Sequence, residues 1–503
     1  MAVLDFFSRT VDKLTDKLRS PYATRVSLSR MGDQNSFEAE QKRVSHFQRL
    51  YDYYINDEDE IKLYMLRSMR RTFGDEVLKQ MFLPYFNITN RIINRICLAY
   101  KIPPERYIVV PQSIKGEERI PDPKMQKAHD NYQKLLSSSN INSKSKEWHR
   151  LAKLGDTCYV QVRYVGDKVE YEVFFPHQLS VVEDPLNYLE PLEVEYTEVS
   201  AGGKNKRIYW SQSEHWVFDE DDKPIPDENP WNGVNKYGVI PFLPVRLRGI
   251  ENHWGEGDTQ LVDANEKINI LYVSSFDNAL MQAHGQMVGI NTKLKSKIDL
   301  GPRKLVQIDN LPGEAQADLK YIHPEPAIEA CMSKIDWMIR TTAMMHGLPA
   351  ASVSIDVKAE SGAAKSIDNW ELLEIREDDI EYLRGFENKL FDVSRTIWNF
   401  HVPAVDKINE DAVFGIDFVK PEAPMTKNEE IDYKKKLMEF GLWTPIDDMV
   451  DEDEGIDRET ALSIIEENLG VRNQLNDRWG LGNIKLERPV DEGMNGDDQD
   501  TTR

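Results

Sequence analysis

The sequence predicts an α+β fold that is mainly helical, with an antiparallel β module in the middle of the chain. Long segments on both sides of the middle carry apolar residues at steps of three and four, which is typical of helices packed along one face. Between residues 155 and 245, apolar and polar residues instead alternate around turns. The chain has 503 residues, of which 40% are hydrophobic, so it is long enough for roughly two to four domains.

The N-terminal part is predicted to consist of helices. The first covers residues 3–18 and has one apolar face, which packs either on the protein's own core or on a neighbouring protein. The acidic turn at 56–60 separates the next two helices, and Pro103 and Pro104 end a later one, since proline breaks a helix. The later helices are predicted over 36–55, 61–72, 88–100 and 127–155, the last interrupted at 137–142.

The β module begins after Gly155 with a hairpin. Its strands cover Thr157–Tyr164 and Val169–Phe175 around a turn at 165–168. Further strands are predicted over 192–197, 207–211 and 215–219, and the segment Tyr237–Pro244 then leads into a long helix.

Three long helices follow, and the rest of the chain is organised around them. They cover Asp258–Gln282, Glu325–His346 and a stretch that ends near Phe400. The first is separated from the second by a β-like connector, and the second from the third by a loop of small residues, Gly347–Gly362. The first helix would be roughly 38 Å long at 1.5 Å per residue. The acidic side chains predicted on the outer face of the third are Glu371, Glu374, Glu377, Asp378, Asp379 and Glu381. A helix this long with one narrow apolar stripe requires packing partners along its whole length.

The C-terminal part returns to strand and helix. One strand is predicted over Ala412–Val419. A capping box at residues 426–429 starts a helix that ends at Gly441. An acidic turn at 451–455 precedes a second helix, which is predicted to stop at Gly470, and the acidic tail from Pro489 is predicted to be disordered.

The composition excludes several classes of protein. Asp and Glu outnumber Lys and Arg by 86 to 63, which gives a net charge of −23, whereas DNA-binding domains are usually basic. The three cysteines have no metal-binding spacing, which indicates free thiols in a reducing compartment. No apolar run approaches the ~20 residues of a membrane span, and the N-terminus lacks the apolar segment of a signal peptide.

Motifs for catalysis are also missing. Gly362–Ser366 resembles the end of a phosphate-binding loop, but no glycine precedes its lysine and a loop, not a strand, leads into it. Asp451–Leu462 departs from a calcium loop because its last position is leucine. The sequence therefore predicts no cofactor, no metal site and no catalytic residue, although 86 acidic residues leave a carboxylate pair possible.

A cationic stripe lies in the connector between the first two long helices. Lys293, Lys295 and Lys297 alternate and so share one face of a strand, and Arg303 and Lys304 follow. Lysines of this kind either protect a sheet edge from mispairing or form a docking surface for an acidic partner or a DNA backbone.

Taken together, residues 36–475 resemble the portal proteins of tailed bacteriophages. Four motifs in this order carry the resemblance: the hairpin from Gly155 ending in Phe175-Pro176; Gly238-Val-Ile-Pro241 followed by Gly255-Glu-Gly257-Asp258, Leu261, Asp263 and Asn265; the helix–connector–helix unit with the loop 348–360 and Ser361-Gly362-Ala-Ala-Lys365; and Gly441-Leu-Trp-Thr444-Pro445 with Arg458-Glu459 beyond it.

The resemblance implies a ring, usually a dodecamer, at one vertex of the capsid. Such a protein is part of the virion and is assembled in the cytoplasm of the host bacterium. Double-stranded DNA passes through its channel without sequence recognition during packaging, retention and ejection of the genome. Its partners are the large subunit of the terminase, the major capsid protein and a head-completion or adaptor protein.

The resemblance also divides the chain into parts. The wing comprises 1–254, with its β module at 155–245, and 401–425; the stem helices are 255–284 and 324–346; the clip is 285–323; the tunnel loop and channel helix are 347–400; the crown is 426–488; and 489–503 is the disordered tail.

Two sets of residues follow from that division. The tunnel-loop residues that would face the DNA are Ser352, Ser354, Asp356, Lys358, Glu360 and Lys365. Lys293, Lys295, Lys297, Arg303 and Lys304 of the clip would bind the packaging motor and later the head-completion protein. An acidic channel wall suits DNA transport, because duplex DNA carries one charge per ~1.7 Å and a basic wall would hold it. Two alternatives stay open, a metal-dependent DNA-processing enzyme and a capsid assembly protein without a channel.

Overall fold

The chain forms two compact units, Met1–Pro421 and Glu422–Arg503, in the computed structural model. The structure describes residues 34–71, 73–79, 81–115, 118–199, 203–229, 231–284, 286–290, 318–322, 328–349, 370–419, 427–441, 443–452 and 457–479. Within these ranges the protein combines α-helices with antiparallel sheets, so the predicted α+β class is confirmed.

Nine α-helices of the first unit lie within the described residues. Short polar side chains cap three of them: Asp57, Asn87 and Asp122 each accept a hydrogen bond from a backbone N–H of the first turn. The helices are α1 Gln34–Ile55, α2 Glu58–Met69, α3 Asp75–Leu78, α4 Ile88–Ile96, α5 Pro123–Ser138, α6 Ile141–Gly155, α7 Thr259–His284, α8 Ile328–Met345 and α9 Trp370–His401.

The described strands of the first unit form five antiparallel sheets. They are β1 Glu105–Ile108, β2 Gln112–Lys115, β3 Glu118–Pro121, β4 Thr157–Val165, β5 Lys168–Phe174, β6 Leu179–Asp184, β7 Asn187–Val199, β8 Asn205–Ser211, β9 His215–Phe218, β10 Phe242–Arg246, β11 Gln286–Ile290, β12 Asp318–Ile322 and β13 Phe414–Asp417. Strand β4 lies between β10 and β5, and β6 to β9 follow one another in a meander. The pairs β1–β13, β2–β3 and β11–β12 complete the set.

The predicted hairpin of β4 and β5 is confirmed, with a two-residue turn. Gly166 and Asp167 both have positive φ, 57° and 63°. A turn of this handedness matches the twist of the two strands that it joins.

A large core joins the helices of the first unit to the sheet β10–β4–β5. Trp148 of α6 is fully buried at its centre, with its ring edge-to-face on Tyr100 and on Phe386 of α9, at centroid distances of 5.7 and 5.5 Å. A smaller core lies between that sheet and the four-stranded sheet, where Phe174, Tyr196 and Phe242 meet. Aromatic pairs of this kind contribute beyond their buried area.

Helices α7 and α8 form an antiparallel pair, which we call the helix hairpin. They pack against each other. At one end Asp258, just before α7, contacts His346, just after α8. At the other end β11 pairs with β12, with Gln286 opposite Ile322. The helix–connector–helix unit predicted from the sequence is confirmed to this extent.

The second unit consists of helices in its described residues: α10 Lys427–Glu439, α11 Pro445–Glu452 and α12 Arg458–Trp479. Lys434 pairs with Asp448, and Arg458 pairs with Asp447 at 2.7 Å. Thr444 and Asp447 cap the start of α11. Ala461 of α12 is fully buried.

Several predicted bounds were wrong. Helix α4 ends at Ile96, not near Tyr100, and Asp451 belongs to α11 and not to a turn. Helix α12 passes through Gly470, because one glycine costs only ~1 kcal/mol in a helix interior. The strands β1, β2, β3, β6, β10 and β12 were not predicted.

The predicted solvent face of α9 also needs correction. Asp379 was placed there with its acidic neighbours, but it is 1% exposed and pairs with His149 and Lys153 of α6. The three cysteines are free, as predicted, with Cys97 and Cys158 buried and Cys331 partly exposed.

Candidate functional site

The candidate site is the root of the helix hairpin, the place where α7 begins and α8 ends. The motif Gly255-Glu-Gly257-Asp258 leads the chain into α7 here. On its N-terminal side, His253 is buried between the two sheets, where its Nε2 accepts from the Tyr159 hydroxyl at 2.6 Å and its Nδ1 donates to the Tyr188 carbonyl at 2.7 Å. Burial lowers the pKa of His253 to about 4, so its ring is neutral. The two hydrogen bonds of this ring fix the backbone just before the turn.

The turn itself requires both of its glycines. Gly255 and Gly257 have φ of 73° and 68°, values that favour glycine. A Cβ at Gly257 would lie 2.6 Å from Leu50 Cδ1 and 2.9 Å from the Leu154 carbonyl oxygen. A Cβ at Gly255 would lie 2.5 Å from that of Asp156. The backbone can therefore approach the end of α6 this closely only because neither position carries a side chain.

Asp156, directly after α6, binds this turn. Its Oδ2 accepts from the backbone N–H groups of Glu256 and Gly257, at 3.2 and 2.8 Å, and from the Arg248 guanidinium at 2.6 Å. Asp156 has a φ of 60°. Because aspartate tolerates this conformation better than most residues, its place at the end of α6 is suited to a carboxylate that holds a turn.

Asp258 joins the two helices of the hairpin. Its Oδ1 accepts from the Leu261 N–H at 3.1 Å and so caps α7, while its Oδ2 lies 2.7 Å from Nε2 of His346. The other ring nitrogen of His346, Nδ1, lies 2.7 Å from the Thr342 carbonyl oxygen. Both nitrogens thus face acceptors, and only the protonated ring can donate to both.

The charge of Asp258 shifts the titration of His346 accordingly. Burial by itself lowers the pKa of His346. The hydrogen bond and negative charge of Asp258, together with the Thr342 carbonyl, raise this pKa by more than burial lowers it. The pKa of His346 therefore lies above its usual value.

A second ion pair lies next to the root. Asp379 of α9 accepts from Lys153 at 2.8 Å and from Nε2 of His149 at 3.0 Å. The pKa of His149 is lowered, since its burial outweighs the nearby carboxylate. Gly347, with a φ of 71°, ends α8 against the first turns of α9: a Cβ there would lie 2.5 Å from Ile375 Cδ1.

One face of α7 is fixed to the start of α4 by two buried asparagines. Asn265 accepts from the Ile88 and Thr89 N–H groups at 2.6 and 3.2 Å and donates to the Phe86 carbonyl at 3.1 Å. Asn269 accepts from the Phe86 N–H and donates to the same carbonyl, at 2.8 and 3.0 Å. Both side chains satisfy backbone groups that would otherwise be buried without partners.

The neighbouring face of α7 carries charge. Arg49 of α1 donates to Asp263 at 2.8 Å and to Glu266 at 2.7 Å, and the Ser68 hydroxyl also donates to Glu266. These side chains, with Tyr64 and Arg67, line an open cavity of about 280 Å³. Its two carboxylates are already paired with Arg49. Among the described residues no group of three or more His, Cys, Asp or Glu side chains could hold a metal ion.

The site residues predicted from the sequence lie elsewhere. The tunnel-loop residues Ser352, Ser354, Asp356, Lys358, Glu360 and Lys365 fall outside the described residues. So do the clip residues Lys293, Lys295, Lys297, Arg303 and Lys304. Both sets stay predictions.

Sequence reasoning missed the polar residues at and near the root, although one signal was present. Arg376, Asp379 and Glu387 fall in step with Leu372, Ile380, Leu383 and Leu390 on the buried stripe of α9. A charged residue at such a position predicts a buried partner, which a count of apolar residues alone overlooks. The contact of Asp258 with His346 joins residues 88 positions apart and has no local signal.

Comparison with known proteins gives a limited result. No protein-family model matches the chain, and no relative is found among curated proteins. Solved structures that resemble it include the virion of a native gene transfer agent particle, at 12% identity and a TM-score of 0.38, and the necks of empty and native particles computed with C6 and C12 symmetry, at 13% identity and TM-scores of 0.39 and 0.36. Each match covers 75% of this chain and 89% of the other. Similarity this low does not assign the fold of this chain to theirs.

Proposed function

We propose that this chain is a portal protein, the subunit of a closed ring through which DNA enters and leaves a phage-like capsid. The observation that carries the proposal is the outer face of α8. Met332, Trp337, Met344 and Met345 are 46%, 61%, 57% and 68% exposed in the single chain. Trp337 and Met344 lie two turns apart on the same face of the helix, and exposed apolar side chains grouped in this way mark an interaction site.

The other helix of the hairpin is covered by its own chain. Leu261, Val262, Ile268 and Val273 of α7 are at most 1% exposed. Among the described residues of the hairpin, the exposed large apolar side chains therefore lie on α8. In the proposed ring the neighbouring subunit covers them.

A further apolar surface lies on the segment before α4. Phe82 is 64% exposed and packs on Phe276 of α7 with ring centroids 5.5 Å apart. Phe86, 44% exposed, packs on Tyr272 at 4.5 Å. A ring with cyclic symmetry joins two different surfaces of each subunit, and the hairpin offers two, one on α8 and one beside α7.

The charge of α9 supports the role of a DNA channel. Glu371, Glu374, Glu377, Asp378 and Glu381 are all exposed on its first three turns. Repeated around a ring axis, such a face would repel phosphates and keep the duplex free to move. We therefore retain 347–400 as the tunnel loop and channel helix, with the loop over 347–362, and 285–323 as the clip.

The partners follow from the same proposal. The clip lysines Lys293, Lys295 and Lys297 would dock the terminase large subunit and later a head-completion protein, because oppositely charged surfaces steer association. The wing would contact the major capsid protein. DNA is moved by the terminase in this account, and the portal has no catalytic activity of its own.

The tunnel loop gives the functional test. Ser354→Trp enlarges a loop of small residues and is expected to leave capsid assembly intact while lowering the DNA content of the particles severalfold. Ser143→Trp, at an exposed position of α6, is the matched control and should package normally. Equal DNA content in particles with either variant would show that this loop does not form the constriction.

A further inference from the structure

We propose that His346 is a protonation-dependent pin that holds the two helices of the hairpin together at their root. The charged form bridges the Asp258 carboxylate and the Thr342 carbonyl, with both distances at 2.7 Å. The pin lies within one chain, so it does not depend on the ring.

The geometry accounts for the dependence on a proton. A neutral imidazole carries a hydrogen on only one nitrogen, so it can donate to only one of the two oxygens. Loss of the proton would leave a ring lone pair facing either the carboxylate or the carbonyl at hydrogen-bond distance. The ring would then turn away from one partner, and the contact between α7 and α8 at the root would weaken.

The surrounding charges favour the protonated ring. The packed helices contribute Asp258 from the start of α7, Lys153 and His149 from α6, and Asp379 and Glu371 from α9. Burial lowers the pKa of His149. Lys153 is paired with Asp379, so His346 is the cation that balances Asp258. Asp156, on the other side of the turn, is neutralised by Arg248. Deprotonation of His346 would leave the Asp258 carboxylate without its cation at a site where the histidine side chain is only 15% exposed.

The pin acts on the ends of both helices. Asp258 caps α7 with one carboxylate oxygen and binds His346 with the other, while its backbone N–H donates to the Leu154 carbonyl at 2.7 Å. His346 in turn bonds the last turn of α8. Release of the histidine therefore loosens the end of α8 relative to both α6 and α7, whereas β11 and β12 still join the far end of the hairpin.

The direction of the pH effect follows from linkage. The folded-state pKa of His346 is raised, so its stabilisation is complete below the ordinary histidine pKa and is lost as pH rises through the folded value. His401 gives the opposite case. Burial lowers its pKa, and its Nε2 bonds the Tyr237 hydroxyl at 2.8 Å, so its stabilisation is lost as pH falls.

Thermal unfolding of the full chain between pH 5.5 and 9 tests the pin. At pH 6 the melting temperature of the wild type should be about 2 °C above that of His346→Gln, and this difference in melting temperature should disappear towards pH 9. In an Asp258→Asn background the His346→Gln substitution should have little effect at any pH. His401→Gln is the matched control, with a gap that changes in the opposite direction. A gap between wild type and His346→Gln that is constant with pH, or that persists in Asp258→Asn, would overturn the proposal.

Hydrogen–deuterium exchange of the wild type tests the same pin without any substitution. After correction for the intrinsic rate, peptides covering 259–265 and 340–348 should exchange faster at pH 8.5 than at pH 6, while peptides from β4 should not. Equal corrected exchange at both pH values would also overturn the proposal. A chain that stays monomeric would contradict the portal function and leave both measurements of the pin valid.

Discussion

The core of the first unit and the helix hairpin differ in how completely the chain itself covers their charged or large apolar side chains. In the core, Arg106 and Glu387 are 2% and 1% exposed, and the same chain supplies everything around them, including Tyr100 and Asn142. On the hairpin, Trp337 is 61% exposed and no described residue covers it. The chain surrounds two charges fully in one region and leaves a tryptophan in water in the other, where we propose that a second subunit covers it.

The largest effect is expected from opening the core. Glu387→Gln removes the charge that Arg106 faces at 2.6 Å and leaves the guanidinium buried without an anion. The loss of unfolding free energy should be roughly 3–5 kcal/mol, measured by chemical denaturation. The control is Asp411→Asn, in an exposed pair with Lys124, which should cost at most ~1 kcal/mol. Equal losses in the two variants would show that the core pair is not closed by its own chain.

A somewhat smaller effect is expected at the root, where the two regions meet. Gly257→Ala adds backbone strain at a φ of 68° and a contact of 2.6 Å with Leu50, for a total of about 2–4 kcal/mol. Gly238→Ala has almost the same φ, 69°, but no atom within 4 Å of its Cβ, so only the strain of ~1–2 kcal/mol should remain. Differential scanning fluorimetry of both variants separates the backbone strain from the steric contact of the added Cβ. Identical decreases in melting temperature would contradict the close approach of the turn to α6.

The helices were largely predictable because their signals are local. Apolar residues at steps of three and four gave the position of α8 and the end of α9 near Phe400. Strand β10 was missed because Pro244 lies within it and because its partner strand, β4, is 81 to 89 positions away in the sequence, from Gln161↔Phe242 to Thr157↔Arg246. Strands β1 and β13 pair across more than 300 residues, as Ile108 opposite Phe414 shows.

The root was predictable only in part. The glycines and acids of the motif 255–265 marked the place, since glycine before a helix and a carboxylate at its start have local meanings. The partners of those residues, namely Asp156, Arg49, Phe86 and His346, are set by tertiary packing, which no local pattern encodes. The tunnel-loop and clip residues lie outside the described ranges and stay predictions.

The central claim is that the exposed face of the hairpin is covered by another copy of this chain in a closed ring. Native mass spectrometry of the wild type, with negative-stain images of the same sample, tests it most directly. We predict one closed oligomer with an axial hole of about 20 Å or more, wide enough for a duplex. Trp337→Ser should leave the unfolding free energy of a subunit within ~0.5 kcal/mol of the wild type. The same substitution should weaken association by ~2 kcal/mol or more per interface. The matched substitution Leu186→Ser, at a residue that is 96% exposed outside the hairpin, should leave the rings intact. A wild type that stays monomeric at every concentration, or Trp337→Ser rings as stable as those of the wild type, would contradict the account.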